Sequence, residues 1–105
     1  MQTTDVLVIG GGPAGSSCAG RLRKHGEDCL VLDRQQFPRL KLCAGWITPE
    51  VVSDLGMGIS KYPHSFLTFE KTVVHFFGMT FRLNSPQHSI RRIEFDHWLL
   101  QCSGA

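Results

Sequence analysis

Three glycines near the start of the sequence have a spacing that suits the binding of phosphate groups. Gly10, Gly12 and Gly15 form a G-x-G-x-x-G pattern, which also contains Pro13 and Ala14. The first glycine permits a tight turn, the second lets a pyrophosphate approach the backbone, and the third allows close packing of helix on strand. Backbone N–H groups at the helix start would hold the phosphates. The pattern predicts a dinucleotide site; a purely structural turn is the alternative.

An acidic residue follows at the spacing that this chemistry requires. Asp33 lies roughly 20 residues beyond the turn, where a carboxylate accepts hydrogen bonds from the adenosine ribose. Arg34 comes next, and it either lies over the adenine or faces water. These residues favour a cofactor with an adenosine diphosphate half, and by themselves they do not separate FAD from NAD.

The elements that must position these residues are evident on both sides of the turn. Val6–Ile9 is apolar and rich in β-branched residues, which predicts a strand buried on both faces in a parallel sheet. A helix is predicted from Pro13, with Lys24 suiting its C-terminal dipole and Gly26 ending it. Cys29–Leu32 predicts the second strand. The order predicts an α/β fold with a Rossmann-like βαβ start.

The rest of the chain predicts a smaller unit of different character. Thr48 and Pro49 predict a helix start, with the helix ending near Gly56. Residues of about 60–90 are rich in β-branched and aromatic side chains and predict a small antiparallel unit with a turn at Gly78. Its aromatic residues are expected to pack this unit or to line an apolar substrate channel.

The end of the sequence predicts a strand over residues 89–95 that leads into a helix. Asp96 is expected to cap that helix. Cys18, Cys29 and Cys102 are expected to be small core residues. The order of elements leaves the first strand without its second parallel neighbour, so we expect an N-terminal part of a longer enzyme, or one completed by another chain.

Composition excludes several classes of protein. The 105 residues are 42% hydrophobic and 19% charged, with a formal net charge of +2, which favours one modest globular core. The basic residues are scattered, which argues against nucleic acid as a partner. The five histidines lack metal-ligand spacing, so no metal site is expected. No segment predicts a membrane span, and the separated cysteines favour a reducing, cytoplasmic location.

Longer stretches resemble known flavoproteins. The segment DVLVIGGGPAGSSCAGRLRKHGEDCLVLDR is similar to the N-terminus of flavoproteins with the glutathione-reductase-type FAD fold. FPRLKLCAGWI and RRIEFDHWLLQCSGA resemble the geranylgeranyl reductase family, which is related to the aromatic hydroxylases. The resemblance implies FAD as the cofactor, and NAD(P)H is a candidate electron donor.

The resemblance also implies roles for single residues. Asp33 would bind the adenosine ribose, the segment of Cys43, Ala44 and Gly45 would pass the flavin, with Trp46 beside it, and Arg92 would contact FAD. Cys43 is the candidate catalytic residue, because Arg39 and Lys41 could provide an electropositive setting for its thiol. The alternative for Cys43 is a small packed residue.

Three functions follow from these expectations. The first is reduction of C=C bonds in a prenyl substrate by reduced flavin. The second is a flavin-dependent monooxygenase, in which reduced flavin reacts with oxygen. The third is a dinucleotide-binding module without catalytic activity. A prenyl-lipid substrate would bring the protein to the periphery of a membrane.

Overall fold

The computed structural model of the protein describes residues 1–56 and 58–105, which form two compact units. The first unit comprises residues 1–41 and 92–105, and the second comprises residues 42–91. The first unit contains strand β1 (Val6–Ile9), helix α1 (Pro13–Lys24), strand β2 (Cys29–Leu32) and helix α3 (Arg92–Ser103). The second contains strand β3 (Trp46–Ile47), helix α2 (Pro49–Asp54), a 3-10 helix (Ile59–Lys61) and strands β4 (Leu67–Phe76) and β5 (Met79–Ser89).

The first unit is built on a parallel pair of strands. β1 and β2 pair in a register that runs from Val6 opposite Cys29 to Ile9 opposite Leu32. α1 begins at Pro13, and the chain turns after it at Gly26, which has a φ of +83°. The predicted order of strand, glycine turn, helix and strand is therefore confirmed.

One face of this sheet lies against α1 and the other is exposed. Val8 faces the helix, because a β-carbon on Gly15 would lie 3.3 Å from its Cγ1. Leu7 and Ile9 point the other way and are 51% and 75% exposed. The prediction that β1 is buried on both faces is wrong for these residues, because alternate side chains of a strand face opposite sides and α1 covers only one of them.

The second unit is an antiparallel sheet with the strand order β3-β5-β4. β4 and β5 are joined by Phe77 and Gly78, whose φ angles are +45° and +75°, as a tight two-residue hairpin turn requires. α2 begins after Thr48, whose Oγ1 accepts a hydrogen bond from the N–H of Val51. The antiparallel unit, its turn and this helix start are confirmed.

The aromatic side chains of the hairpin are more exposed than predicted. Phe66 is half-buried, whereas Phe69, Phe76 and Phe81 are 45%, 58% and 45% exposed. Within the second unit the prediction that these rings pack the sheet is wrong, because the β4–β5 ribbon carries apolar residues along most of its length with little packed against them. The alternative, an apolar channel, stays a prediction.

The end of the chain differs from the prediction in three ways. α3 begins at Arg92, so residues 92–95 are helical and not extended. Asp96 therefore lies inside the helix, fully buried, and does not cap it. Cys29 is buried as predicted, but Cys18 and Cys102 are exposed. The buried positions of α1 and α3 are their neighbours, such as Ala19 and Ser103, so both thiols lie outside the packed helix faces.

The helices of the described residues are all too short or too polar to cross a lipid bilayer.

Candidate dinucleotide-binding site

The glycine turn connects β1 to α1 with little space for side chains. Gly10 has a φ of +101°, which favours glycine, and its N–H donates a hydrogen bond to the carbonyl oxygen of Leu32 over 2.7 Å. A β-carbon on Gly15 would overlap the carbonyl oxygen of Gly10. Gly12 caps α1 in an extended conformation, and Pro13 is the first helical residue. The turn therefore brings the bare N-terminus of α1 close to the end of β1.

The start of α1 is suited to an anion. The first turn of the helix carries no acidic side chain, and its dipole places partial positive charge at this end. Arg21, Arg23 and Lys24 lie in the last turn, where cations are favourable. Pro13 and Ala14 are the first two residues of α1, and Ala14 is exposed.

Asp33 lies at the end of β2 and is bound to the turn. Its Oδ2 accepts a hydrogen bond from the N–H of Gly11, and its Oδ1 accepts one from the N–H of Gln35, both at 2.8 Å. The bond from Gln35, then that from Gly11, lower the pKa of Asp33, and the positive charges of Arg39 and Arg34 lower it further. Each carboxylate oxygen has two lone pairs, so Asp33 retains capacity to accept hydrogen bonds from a ribose.

Arg39 lies at the glycine turn, where the sequence analysis did not place it. Its guanidinium lies 4.6 Å from the centre of the Phe37 ring. A β-carbon on Gly12 would lie 3.4 Å from Arg39 Nη2, and one on Gly11 would lie 3.3 Å from Phe37 Cε2. The sequence analysis considered Arg39 only as a neighbouring charge for the Cys43 thiol, whereas the structure pairs it with Asp96 and the Phe37 ring. The structure places a cation beside the glycine that a pyrophosphate would approach.

Arg39 and Arg92 share one carboxylate. Arg39 Nη1 lies 3.1 Å from Oδ2 of Asp96. Arg92 makes two bonds to the same side chain, from Nε to Oδ1 at 2.6 Å and from Nη2 to Oδ2 at 2.9 Å. Asp96 is fully buried, and the arginine side chains are 11% and 18% exposed. The Arg92 side chain is therefore held against α3 by an ion pair with a residue one helical turn further along.

The remaining candidates lie in the second unit. Cys43 is exposed, and its Sγ accepts a hydrogen bond from the N–H of Gly45 over 3.4 Å. Gly45 has a φ of +76°, and a β-carbon there would overlap the carbonyl oxygen of Ile90. Ala44 is exposed, and Trp46 is 67% exposed at the start of β3. Gly45 has a structural reason to be glycine, and a flavin contact for this segment stays a prediction.

This chain is similar to known oxidoreductases in sequence and to a flavin-dependent brominase in fold. A menaquinone reductase of Mycobacterium tuberculosis is 43% identical over 62 residues, which are 58% of this chain and 15% of the relative. A geranylgeranyl diphosphate reductase of Rhodobacter capsulatus is 30% identical over 106 residues, covering 95% of this chain and 25% of the relative. Among solved structures, the flavin-dependent brominase Bmp2 is 28% identical with a TM-score of 0.78, and the match covers 96% of this chain and 27% of the brominase.

The matched segments of this chain thus cover between 15% and 27% of the length of these three relatives. The sequence pattern of a family described as NAD(P)-binding Rossmann-like domain matches residues 8–81. This match includes the last two residues of β1 (Val8 and Ile9), the glycine turn, α1, β2 and Asp33. The chain belongs to the NAD(P)-binding Rossmann-like domain family.

Proposed function

We propose that this chain is the FAD-binding part of a flavin-dependent oxidoreductase that reduces C=C bonds in a prenyl-type substrate. The observation that carries the proposal is the hydrogen bond from Gly11 to Asp33, which joins the glycine turn to the acid at the ends of two parallel strands. Ligands of open α/β sheets bind outside these carboxyl ends.

The turn fits the diphosphate of such a cofactor. Apart from Gly10 and its two neighbours in the chain, no heavy atom of the described residues lies within 4 Å of a β-carbon built on Gly10, so the backbone is open on that side. The N-terminus of α1 would bind the diphosphate, and Asp33 would accept hydrogen bonds from the ribose. Arg34, which is exposed directly after Asp33, would lie near the adenine.

FAD would supply hydride transfer, which the protein side chains cannot perform. Arg92 would contact FAD from α3, and the segment from Cys43 to Trp46 would lie beside the flavin. Cys43 would face the flavin or the substrate as the candidate catalytic thiol. NAD(P)H is the proposed electron donor.

The names of the relatives favour a lipid substrate. A geranylgeranyl diphosphate reductase matches along 95% of this chain, and a menaquinone reductase has 43% identity over a shorter segment. A digeranylgeranylglycerophospholipid reductase of Methanosphaera stadtmanae is 36% identical over 58 residues. The exposed apolar side chains of the β4–β5 hairpin would suit a hydrophobic substrate, which would also bring the protein to a membrane surface.

The experiment starts with cofactor content. The purified protein is mixed with FAD, and binding is followed by the flavin absorption spectrum and by calorimetry. The holoprotein, completed by whatever chain it requires, is then reduced without oxygen and given geranylgeranyl diphosphate. A product heavier by two hydrogens per reduced bond supports the proposal. Absence of FAD binding rejects it, and FAD binding without reduction of any prenyl substrate rejects the substrate class alone.

A second candidate is oxygen-dependent flavin chemistry. It is favoured by the likeness to the brominase, which covers 96% of this chain. Oxygen consumption coupled to substrate would support this candidate, whereas anaerobic turnover would support the reductase.

A further inference from the structure

One buried carboxylate joins two arginines that are distant in sequence. Arg39 lies 57 residues before Asp96, and Arg92 lies one helical turn before it. The Asp96 side chain has no exposed surface. A carboxylate buried to this degree requires paired cations, because the loss of its hydration is strongly unfavourable without them.

The charges of this group do not cancel. Two guanidiniums and one carboxylate carry a net charge of +1, and Arg39 lies beside the glycine turn. Asp96 binds Nη1 of Arg39, while Nη2 would lie 3.4 Å from a β-carbon on Gly12. A guanidinium is planar and its donors have fixed directions, so a bond at one nitrogen orients the other. The Phe37 ring, 4.6 Å from Arg39 Cζ, constrains the same plane from one side.

We propose that Asp96 is a positioning residue that orients Arg39 toward the diphosphate of the bound cofactor. This inference rests on the proposed function, since it takes the glycine turn as the diphosphate site. Asp96 itself does not touch the cofactor in this proposal. It acts by fixing Arg39, and it anchors that arginine to α3 through the shared bond to Arg92.

Orientation and simple charge predict opposite results when Asp96 is neutralised. Asp96→Asn raises the net charge near the turn by one, so long-range electrostatics alone would strengthen the binding of an anion. Loss of orientation would weaken it, because a charge-assisted hydrogen bond depends on geometry. We expect orientation to dominate, since the diphosphate would be bound at short range.

The experiment compares ADP with adenosine on the purified protein and its variants. Binding is measured by calorimetry or by NMR titration, together with FAD binding. In Asp96→Asn we expect the affinity for ADP and FAD to fall about tenfold, as for one lost charged hydrogen bond, while the affinity for adenosine changes less than about twofold. Asp5→Asn is the matched control, because it removes the same charge at an exposed position of the first unit.

A second variant covers the case in which Asp96→Asn does not fold. Arg39→Lys keeps the positive charge but loses the planar group, so it should also weaken ADP and not adenosine. If both variants fold, their combination should be no weaker than Asp96→Asn alone by more than about twofold, since they remove one interaction.

The outcomes separate this inference from the proposed function. Failure of the unaltered protein to bind FAD or ADP rejects the proposed function. Normal FAD binding with unchanged or tighter ADP binding in Asp96→Asn overturns the role of Asp96 and leaves the FAD site standing. Equal losses for ADP and adenosine also overturn it, because they indicate a general structural effect. Unchanged ADP affinity in Arg39→Lys does the same.

Discussion

The N–H of Gly11 donates a hydrogen bond to Oδ2 of Asp33 over 2.8 Å, and this bond links the turn after β1 to the end of β2. The other oxygen accepts a bond from Gln35. Both donors favour the ionised carboxylate, which is why the pKa of Asp33 lies below its ordinary value of 3.8. The carboxylate that we propose as the ribose acceptor is thus held in place by two backbone N–H groups.

The lowered pKa of Asp33 predicts a pH dependence of stability. Because the pKa is lower in the folded state, the contribution of Asp33 is present above the unfolded value near 3.8 and is lost as the pH falls through the folded pKa. An NMR titration of the Asp33 carboxyl should give a midpoint below 3.8. Asp33→Asn should flatten the acid limb of the stability curve. A midpoint at or above the ordinary value would contradict the two hydrogen bonds.

Gly15→Ala should be strongly destabilising. The new β-carbon would overlap the carbonyl oxygen of Gly10, so α1 would have to move away from β1. We expect the free energy of unfolding in urea to fall by about 2–3 kcal/mol, and FAD affinity to fall with it. The control is Gly20→Ala on the same helix, where the β-carbon would lie 3.4 Å from Cα of Ser103. That variant should be unchanged or gain up to about 1 kcal/mol of helix propensity. Equal losses of unfolding free energy in Gly15→Ala and Gly20→Ala would contradict the close contact between Gly15 and the carbonyl oxygen of Gly10.

Ser16→Ala tests a buried hydrogen bond beneath the turn. Ser16 is 2% exposed, and its hydroxyl donates to the carbonyl oxygen of Gly11 over 2.9 Å. Removing the hydroxyl deprives that carbonyl of a partner, so the free energy of unfolding should fall by about 1–2 kcal/mol. Ser17→Ala, at the half-buried next position, should change it by less than about 0.5 kcal/mol. The same urea denaturation serves both variants.

Phe77 is in a backbone conformation that its side chain disfavours. Its φ is +45°, and it is 89% exposed at the hairpin turn. Phe77→Asn should stabilise the protein by up to about 1 kcal/mol, because asparagine tolerates the left-handed region. The gain is limited by loss of the ring contact to Phe76, whose centre is 4.5 Å away. Phe77→Ala loses that contact without relieving the backbone and should destabilise. The midpoint of thermal unfolding is measured for both variants. Stabilisation by Phe77→Ala would contradict a favourable contact between the Phe77 and Phe76 rings.

The βαβ start was predictable because its signals are local. The apolar run from Val6, the proline at the first helical position and Gly26 after the helix each act within a few residues of their own position. Asp33 needed only a spacing from the turn. These features follow from backbone geometry that neighbouring residues determine.

The Arg39–Asp96 pair was not predictable, because 57 residues separate its members. The sequence predicts a cap at Asp96, because aspartate often precedes a helical run of apolar residues. The helix begins at Arg92. Arg92 forms an ion pair with Asp96 one turn later, so the carboxylate lies inside the helix and not before it. The burial of single side chains was also not predictable, because the exposure of Leu7 or Cys18 depends on which elements distant in sequence pack against β1 and α1.

The parallel register of β1 and β2 governs tolerance to insertions. Ile9 lies opposite Leu32, so the glycine turn and Asp33 leave the sheet at the same level. An extra residue in the exposed link 25–28 would be absorbed there without altering this match. An extra residue within β2 would shift Asp33 by about 3.3 Å or turn it to the opposite face. We therefore expect an inserted residue to be tolerated better in the connection between α1 and β2 than within β2.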